Sequence, residues 1–191
     1  NMSFITTPFK EVFVLKPKVH SDERGFFMEN FNEKEIEKVT GRRISFCQDN
    51  EAFSKKGVLR GLHYQLPPFS QSKLVRVIQG KVLDVIVDIR KDSPTFGEYF
   101  SCELSAENKL QVFIPRGFAH GYITLSETSI FSYKVDQFYN YESEGSIDPE
   151  DPSIGIDWKI PQSEWIQSKK DQNHQNLSVA TLFDYNEDLY A

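Results

Sequence analysis

Short apolar runs alternate with turn residues along most of the chain up to residue 135. The runs are rich in β-branched and aromatic side chains, which is typical of β-strands. They lie at 4–15 (one or two strands), 26–31, 44–50, 74–78, 81–89, 98–104, 109–114, 122–125 and 129–135. Because Gly80 joins two of these runs, we expect a hairpin there, and we expect the last two runs to form another pair.

One segment has a helical pattern. Asn32 can cap a helix that continues to Thr40, acidic residues occupy its first turn, and Gly41 ends it. Polar or glycine-containing turns are predicted at 20–25, 93–97 and 115–121, the last of which contains His120.

The pattern changes after about Asp136. An acidic, loop-like stretch follows, 154–158 could form a short strand, and 163–191 is polar with isolated apolar anchors. About the last 25 residues are therefore expected to form a peripheral tail. The 191 residues show no internal repeat and no linker, so we expect one domain. Many short strands without alternating helices predict an all-β fold, an antiparallel sandwich or barrel with a few short peripheral helices.

The run at 44–50 alternates apolar and polar side chains. This alternation places Gln48 and Asn50 on the same face as Ile44 and Phe46. An amide that points inward must find a partner, so the two amides either line a cavity or mark a strand that has already ended at Gln48.

Composition narrows the possible classes of protein. A net charge of −6 argues against nucleic acid or an anionic membrane as the main partner, and any anionic ligand must then meet a local basic cluster. Cys47 and Cys102 lie in no Cys-x-x-Cys or Cys/His cluster, which argues against a zinc site and favours the reducing cytoplasm. We interpret Asn1, ahead of Met2, as an expression scar and leave it out of the argument.

The stretch from Gly57 to Lys73 concentrates candidate chemistry. It sets Arg60, His63 and Gln65 among apolar residues and ends at Lys73, where a strongly β-patterned segment begins. A lone histidine in an apolar run is more often a hydrogen-bonded core residue than a catalyst, so other parts of the chain must decide its role.

Several spaced motifs together resemble the dTDP-4-dehydrorhamnose 3,5-epimerases over roughly residues 10–185. They are Asp22-Glu-Arg-Gly-Phe-Phe27, Gln48-Asp-Asn50, Val58-Leu-Arg-Gly-Leu-His-Tyr-Gln65, Gln71-Ser-Lys-Leu-Val-Arg76, 84–90, Ser93-Pro-Thr-Phe-Gly97, Pro115-Arg-Gly-Phe-Ala-His-Gly121, Tyr133 with Tyr139, and Asp151-Pro-Ser-Ile-Gly-Ile-Asp-Trp158. The resemblance implies a cupin-type jelly roll and a homodimer with exchanged N-terminal strands. It also implies a nucleotide-linked 4-keto-6-deoxyhexose as substrate, with neither metal nor organic cofactor.

The resemblance also implies roles for individual residues. His63 matches the base, Asp171 the carboxylate that orients it, Tyr133 the proton donor, and Lys73 the cation beside the enolate oxygen. The implied substrate-binding residues are Arg24, Glu29, Gln48, Asp49, Asn50, Arg60, His120, Tyr139, Glu144 and Lys169. The segment 159–170 carries no motif of the family, so only the sequence Ser168-Lys-Lys-Asp171 places Asp171 and Lys169.

Three alternative functions are weighed against this interpretation. A metal-dependent cupin enzyme needs two or three histidines and a carboxylate that converge on one ion, whereas His63 is followed by Tyr64 and Gln65 and the other histidines lie far apart. A non-catalytic sugar-nucleotide binder has no need of a histidine, a tyrosine and a lysine together. A mono-epimerase that inverts only C3 or only C5 stays possible.

Overall fold

The computed structural model describes residues 2–191 and consists mostly of β-strands. The elements are β1 (Met2–Thr6), β2 (Phe13–Pro17), β3 (Val19–Asp22), β4 (Gly25–Met28), α1 (Glu33–Thr40), β5 (Gln48–Lys55), β6 (Leu59–Gln65), β7 (Lys73–Gln79), β8 (Lys81–Asp88), β9 (Arg90–Lys91), β10 (Tyr99–Ser105), β11 (Gln111–Ile114), β12 (Phe118–Thr124), β13 (Thr128–Val135), β14 (Glu144–Ser146) and β15 (Phe183–Asp184). Three 3₁₀ turns lie at Tyr141–Ser143, Gln162–Glu164 and Lys170–Gln172.

Two antiparallel sheets pack face to face. One has six strands in the order β1-β2-β11-β7-β13-β5, and the other has five in the order β10-β8-β12-β6-β14. The chain alternates between the two sheets from β5 to β8 and again from β10 to β14, which is the connectivity of a jelly roll. The predicted fold class, an antiparallel sandwich of the cupin type, is confirmed.

The core has three layers because both sheets are covered on their outer faces as well. Between the sheets, Val75 and Phe131 from one meet Ile86 from the other. Outside the five-stranded sheet, Val85 and Val87 pack against Trp158 and the C-terminal residues. Outside the six-stranded sheet lies the helix side chain Ile36. Strand β8 is therefore buried on both faces, which explains why its sequence is a nearly continuous apolar run.

The predicted hairpin at Gly80 is wrong. Strand β7 pairs with β11 and β13, whereas β8 pairs with β10 and β12 in the other sheet. Gly80 has a φ of +82°, and a Cβ there would lie 2.1 Å from the carbonyl oxygen of Thr128. Gly80 therefore allows a tight turn in which the chain crosses from one sheet to the other. The expected pair at 122–125 and 129–135 fails for the same reason, since β12 and β13 belong to different sheets.

The predicted turn at 115–121 is also wrong in its second half. Strand β12 begins at Phe118, and His120 lies inside it with its side chain buried. Gly121 marks a close approach of two strands, because a Cβ there would lie 2.7 Å from the carbonyl oxygen of Arg60 on β6.

Three smaller boundaries differ from prediction. The turn expected at 20–25 narrows to the tip of a hairpin between β3 and β4. No strand forms at 154–158 within the described chain, and the strand expected at 44–50 begins only at Gln48. The alternative in which a strand ends by Gln48 is therefore wrong.

The helix is confirmed. Asn32 caps it, with its Oδ1 accepting from the backbone N–H groups of Lys34 at 2.9 Å and Glu35 at 3.3 Å, and Gly41 ends it in the left-handed conformation at φ 74°. None of the helices within residues 2–191 is long and apolar enough to cross a membrane.

The C-terminal segment packs into the body of the protein. Leu177, Ala180 and Phe183 are buried against the outer face of the five-stranded sheet. The Tyr190 hydroxyl lies 2.5 Å from Ser72 Oγ and accepts from the backbone N–H of Arg116. The segment expected to be peripheral thus closes one face of the sandwich.

Candidate active site

A cavity of about 250 Å³ lies beside β6, the strand that carries His63. It is lined by Asn50, Ala52, Arg60, His63, Tyr64, Gln65, Gln71, Lys73, His120, Tyr122, Tyr133, Tyr139, Glu144, Lys170 and Asp171. Strands of both sheets contribute to this lining, so residues far apart in the sequence meet in one place.

His63 and Asp171 form a short hydrogen bond in the cavity. His63 Nε2 lies 2.5 Å from Asp171 Oδ1, although 108 residues separate them in sequence. Burial raises the pKa of Asp171, but hydrogen bonds from His63 and the Gly61 backbone and the charges of His63 and Lys170 outweigh it, so the pKa is lowered. The aspartate is held ionised, accepts from Nε2–H and thereby leaves Nδ1 of the imidazole to act as a base.

The segment that carries Asp171 is fixed at both ends. At its start, the backbone N–H of Ile166 donates to Gly57 O at 2.9 Å, and that of Leu59 donates to Ile166 O at 3.0 Å. At its end, the backbone N–H of Leu177 donates to Asp151 Oδ2 at 2.7 Å. The motif that begins at Asp151 therefore helps to hold Asp171 against His63.

Lys73 begins β7 and points its ammonium group into a largely dry region. Burial lowers its pKa to about 8, although the charges of Asp84 and Glu144 oppose the shift. The Lys73 ammonium lies 5.9 Å from the centre of the Tyr133 ring. Lys73 thus places a positive charge close to the phenol of Tyr133, the residue that matches the family's proton donor.

A second histidine–carboxylate pair lies deeper in the cavity wall. His120 Nε2 is 2.6 Å from Asp84 Oδ1, and both side chains are buried. Burial lowers the pKa of His120 and raises that of Asp84, while their mutual attraction opposes both shifts. The low pKa keeps His120 neutral, so the imidazole can share a hydrogen bond with a ligand without adding a charge.

Tyr133 projects from β13 opposite Asn50 of β5. Burial raises the pKa of its phenol, against the lowering effects of an Asn50 hydrogen bond and the Arg60 charge. Asn50 Oδ1 also accepts from Gln48 Nε2 at 2.9 Å. Asn50 therefore faces the cavity and Gln48 supports it from the next inward position of the strand.

The mouth of the cavity carries most of the exposed charge. Arg60 donates from Nε to Ser54 Oγ at 3.1 Å and from Nη2 to Phe53 O at 3.2 Å, which holds the guanidinium at the rim. Lys170 forms an ion pair with Glu144, and its Nζ lies 5.9 Å from the centre of the Tyr139 ring.

The structure shifts one predicted position by a single residue. Lys170, not Lys169, lines the cavity. Both lysines precede Asp171 in an otherwise unanchored segment, and the 3₁₀ turn Lys170–Gln172 brings the second of them inward. The sequence alone gives no reason to prefer Lys170 to Lys169.

Four other predicted binding residues lie outside the cavity lining of their own chain. Arg24 sits on the exposed β3–β4 hairpin and pairs with Asp22 at 2.5 Å, and Glu29 accepts from Asn32 Nδ2 at 2.7 Å. Asp49 points to the other face of β5, where it pairs with Lys134 at 3.0 Å. Gln48 is the fourth. It lies two residues before Asn50 on β5 and donates a hydrogen bond to it, but does not line the cavity.

Six lining residues were not predicted as site residues: Ala52, Tyr64, Gln65, Gln71, Tyr122 and Lys170. The alternation of β5 would have found Ala52 two residues after Asn50. Tyr122 begins the predicted run at 122–125, and it was missed because it lies just outside the family motif that ends at Gly121.

The donor set for a metal is incomplete in this cavity. His63 and His120 each engage a separate aspartate, and within residues 2–191 no group of three or more His, Cys, Asp or Glu side chains is arranged to hold an ion.

Comparisons with known proteins bear on this arrangement. The family model described as dTDP-4-dehydrorhamnose 3,5-epimerase matches residues 6–178. A curated dTDP-4-dehydrorhamnose 3,5-epimerase from Shigella flexneri is 51% identical over 182 residues, which covers 95% of this chain and 99% of the relative.

Two solved structures extend the comparison. A dTDP-6-deoxy-D-glucose-3,5-epimerase from Legionella pneumophila, in complex with dTDP-4-keto-L-rhamnose, superposes with a TM-score of 0.93 at 45% identity and covers 98% of this chain and 100% of that one. A 3′-monoepimerase from Streptomyces bikiniensis, in complex with dTDP-quinovose, has a TM-score of 0.84 at 31% identity and covers 91% of this chain and 87% of that one. The chain belongs to the dTDP-4-dehydrorhamnose 3,5-epimerase family.

Proposed function

We propose that this protein inverts C3 and C5 of dTDP-4-dehydro-6-deoxy-D-glucose and so forms dTDP-4-dehydro-L-rhamnose. The observation that carries the proposal is that the His63–Asp171 pair, Lys73 and Tyr133 line one cavity. Incubation with this substrate, followed by proton NMR of the sugar, should show the L-configured product. An unchanged spectrum would contradict the proposal.

The substrate's own ketone makes the reaction possible. A carbonyl at C4 acidifies the hydrogens on C3 and C5, because the charge left by proton removal spreads onto the carbonyl oxygen as an enolate. Inversion then requires a base on one face of the ring, a proton donor on the other and a positive group at the oxygen. No net oxidation occurs, so we propose that the reaction needs no redox cofactor. We also propose that it needs no metal, because Lys73 can supply the positive charge at the oxygen.

His63 is the proposed base. Asp171 holds Nε2–H, so Nδ1 can accept the carbon proton, and the aspartate then stabilises the imidazolium that forms. One base can serve both carbons in turn, because C3 and C5 flank the same carbonyl.

Tyr133 is the proposed proton donor. Its raised pKa keeps the phenol protonated at neutral pH. Lys73 lies beside the ring, where its ammonium can stabilise the developing oxyanion and, later, a phenolate. A fixed charge in such a poorly solvated place acts more strongly than it would in water.

The pKa of Lys73 predicts how the rate depends on pH. A lysine is charged below its pKa, so kcat/KM should fall as pH rises through about 8. A pH–rate profile of the unaltered enzyme tests this, with Lys73→Arg as the matched variant. The guanidinium stays charged, so this variant should lack the alkaline fall even if its overall rate is lower. A profile of the unaltered enzyme that stays flat well above pH 8 would contradict the role of Lys73.

The nucleotide end of the substrate is assigned to the charged mouth of the cavity. Arg60 and Lys170 supply positive charge for the diphosphate although the chain as a whole carries −6. Tyr139, whose ring is half exposed at the rim, offers a face on which a base can stack. Asn50, His120 and Glu144 remain for polar contacts to the sugar nucleotide.

We also propose a homodimer with exchanged N-terminal strands, in which Arg24 and Glu29 serve the partner's cavity. Two features support it. These residues lie outside the cavity of their own chain, and the neighbouring Phe26 and Phe27 are 58% and 71% exposed, which is unusual for such large apolar side chains on one hairpin.

Mixed dimers test this exchange. Arg24→Ala and His63→Ala chains should each be inactive alone, and co-expression should restore activity. A mixed dimer then keeps one site with both residues intact, because His63 comes from one subunit and Arg24 from the other. If Arg24 served its own chain, neither site would be complete and no activity would return. Light scattering of the unaltered protein should give twice the mass of the chain.

The two cysteines support a cytoplasmic location as part of the proposal. Cys47 and Cys102 are not bonded to each other, which is the usual state in a reducing compartment.

A further inference from the structure

The segment 137–140, which carries Tyr139 at the rim of the cavity, is held by side chains and not by a neighbouring strand. It follows β13 and belongs to no strand of the fold. In the part of the chain that the structure describes, its one backbone–backbone hydrogen bond is accepted by Asn140 O from the N–H of Ser143. Phe138 and Tyr139 are 60% and 52% exposed, so burial of their apolar surface does little to fix the segment.

Glutamine side chains from other parts of the chain bind the backbone of this segment instead. Gln71 Nε2 donates to Gln137 O at 2.9 Å, Gln65 Nε2 donates to Phe138 O at 3.2 Å, Gln48 Oε1 accepts from the N–H of Tyr139 at 3.4 Å, and Gln65 Oε1 accepts from the N–H of Asn140 at 2.9 Å. The contact from Tyr139 is long for a hydrogen bond. The two bonds of Gln65, on either side of Tyr139, therefore carry most of the constraint.

Gln65 is fully engaged within the protein. Its side chain is 4% exposed and lies two residues after His63 on β6. Because Nε2 also donates to Phe69 O at 2.8 Å, both of its N–H groups are used, and neither is left for a ligand. The amide thus joins β6 and the loop after it to the two backbone groups that flank Tyr139.

We propose that Gln65 is a positioning residue that fixes Tyr139 at the rim, where its ring stacks on the base of the bound nucleotide. The inference rests on the proposed function, since it needs a dTDP-sugar in this cavity. A rim that is already ordered binds the nucleotide more tightly, because less conformational entropy is lost on binding. The bonds of Gln65 reach none of His63, Lys73 and Tyr133, so the effect falls on binding and not on the chemical step.

The test is Gln65→Met, which keeps the length of the side chain and removes its three hydrogen bonds without adding a charge. Calorimetry should show that the affinity for dTDP falls about tenfold, the loss expected when one base–aromatic stack is weakened. Steady-state kinetics should show that KM for the dTDP-sugar rises by a similar factor while kcat stays within a few-fold. A fall in kcat with KM unchanged would contradict the positioning role.

A double-mutant cycle shows whether the loss of affinity passes through Tyr139. Tyr139→Ala should by itself weaken dTDP binding about tenfold. Gln65→Met added to Tyr139→Ala should then weaken it by less than about twofold more, because the ring that Gln65 positions is already gone. If the two losses multiplied instead, Gln65 would act without Tyr139, and the inference would be overturned.

Gln79→Met is the matched control, because Gln79 donates to Thr128 Oγ1 at 2.9 Å and does not line the cavity, so its loss should leave dTDP binding unchanged. Gln71→Met, which loses the single bond to Gln137 O, should weaken dTDP binding by a few-fold. It replaces Gln65→Met in the cycle if that variant does not fold. Unchanged binding by the folded variant, when the unaltered protein binds dTDP, would overturn this inference alone. If the unaltered protein does not bind dTDP, the proposed function fails as well.

Discussion

Replacement of His63 by alanine should lower kcat by about 10³-fold or more, at the upper part of the range for loss of a general base. It should also abolish the exchange of the C3 and C5 hydrogens of the substrate with deuterated water. Both effects have one cause, since Nδ1 of His63 is the proposed acceptor of the carbon proton and Asp171 engages the other nitrogen at 2.5 Å. Rates and exchange can be followed together by NMR.

A second histidine provides the control for this experiment. His174 pairs with Asp148 at 3.4 Å and does not line the cavity, so His174→Ala should keep the rate of the unaltered enzyme within a few-fold. His63→Ala should still bind dTDP, which would show that the site is intact. Full activity in His63→Ala would refute the mechanism.

Replacement of Tyr133 by phenylalanine should separate exchange from inversion. The base still removes a proton, and deuterium can return from the same face, but the opposite face has lost its donor. Inversion should therefore fall by about 10²- to 10⁴-fold while some exchange persists. Proton NMR in deuterium oxide reports both quantities in one sample, because the exchanged signal disappears and the inverted sugar changes its couplings.

Tyr99→Phe is a suitable control for the loss of a phenolic hydroxyl. Tyr99 lies on β10 outside the cavity, and its hydroxyl only accepts a long contact from the Asp157 backbone at 3.4 Å. Both exchange and inversion should survive in this variant. If Tyr133→Phe lost exchange together with inversion, Tyr133 would belong to the proton-abstraction step instead.

The positions of most strands could be predicted from the sequence, because the alternation of apolar and polar residues and the enrichment in β-branched residues depend directly on which side chains are buried. Which strands pair could not. Gly80 has the same local signal whether the chain turns back into one sheet or crosses to the other, and only the apposition to Thr128 distinguishes the two. In the same way, Gly121 suggested a turn although it marks close strand contact around the buried His120.

The residues of the candidate site divide along similar lines. Lys73 begins β7 and Tyr133 lies in β13, two strands that the pattern predicted, whereas His63 lies in β6, which it did not predict. The family motifs, and not the strand pattern, located all three residues. Asp171 and Lys170 come from a segment whose regular structure is limited to short 3₁₀ turns, and its position depends on hydrogen bonds to Gly57 and Asp151. No periodicity records such bonds, which is why the lysine was misplaced by one residue.

The central claim is that residues of this cavity remove protons from the carbons beside a ketone and that protons return on the opposite face. NMR of the unaltered enzyme with dTDP-4-dehydro-6-deoxy-D-glucose in deuterium oxide tests this claim most directly. The proposed mechanism predicts deuterium at both C3 and C5 of a product inverted at both carbons. Inversion and exchange at one carbon only would identify a mono-epimerase. A product that retains its original hydrogens at C3 and C5 would contradict the enolate mechanism.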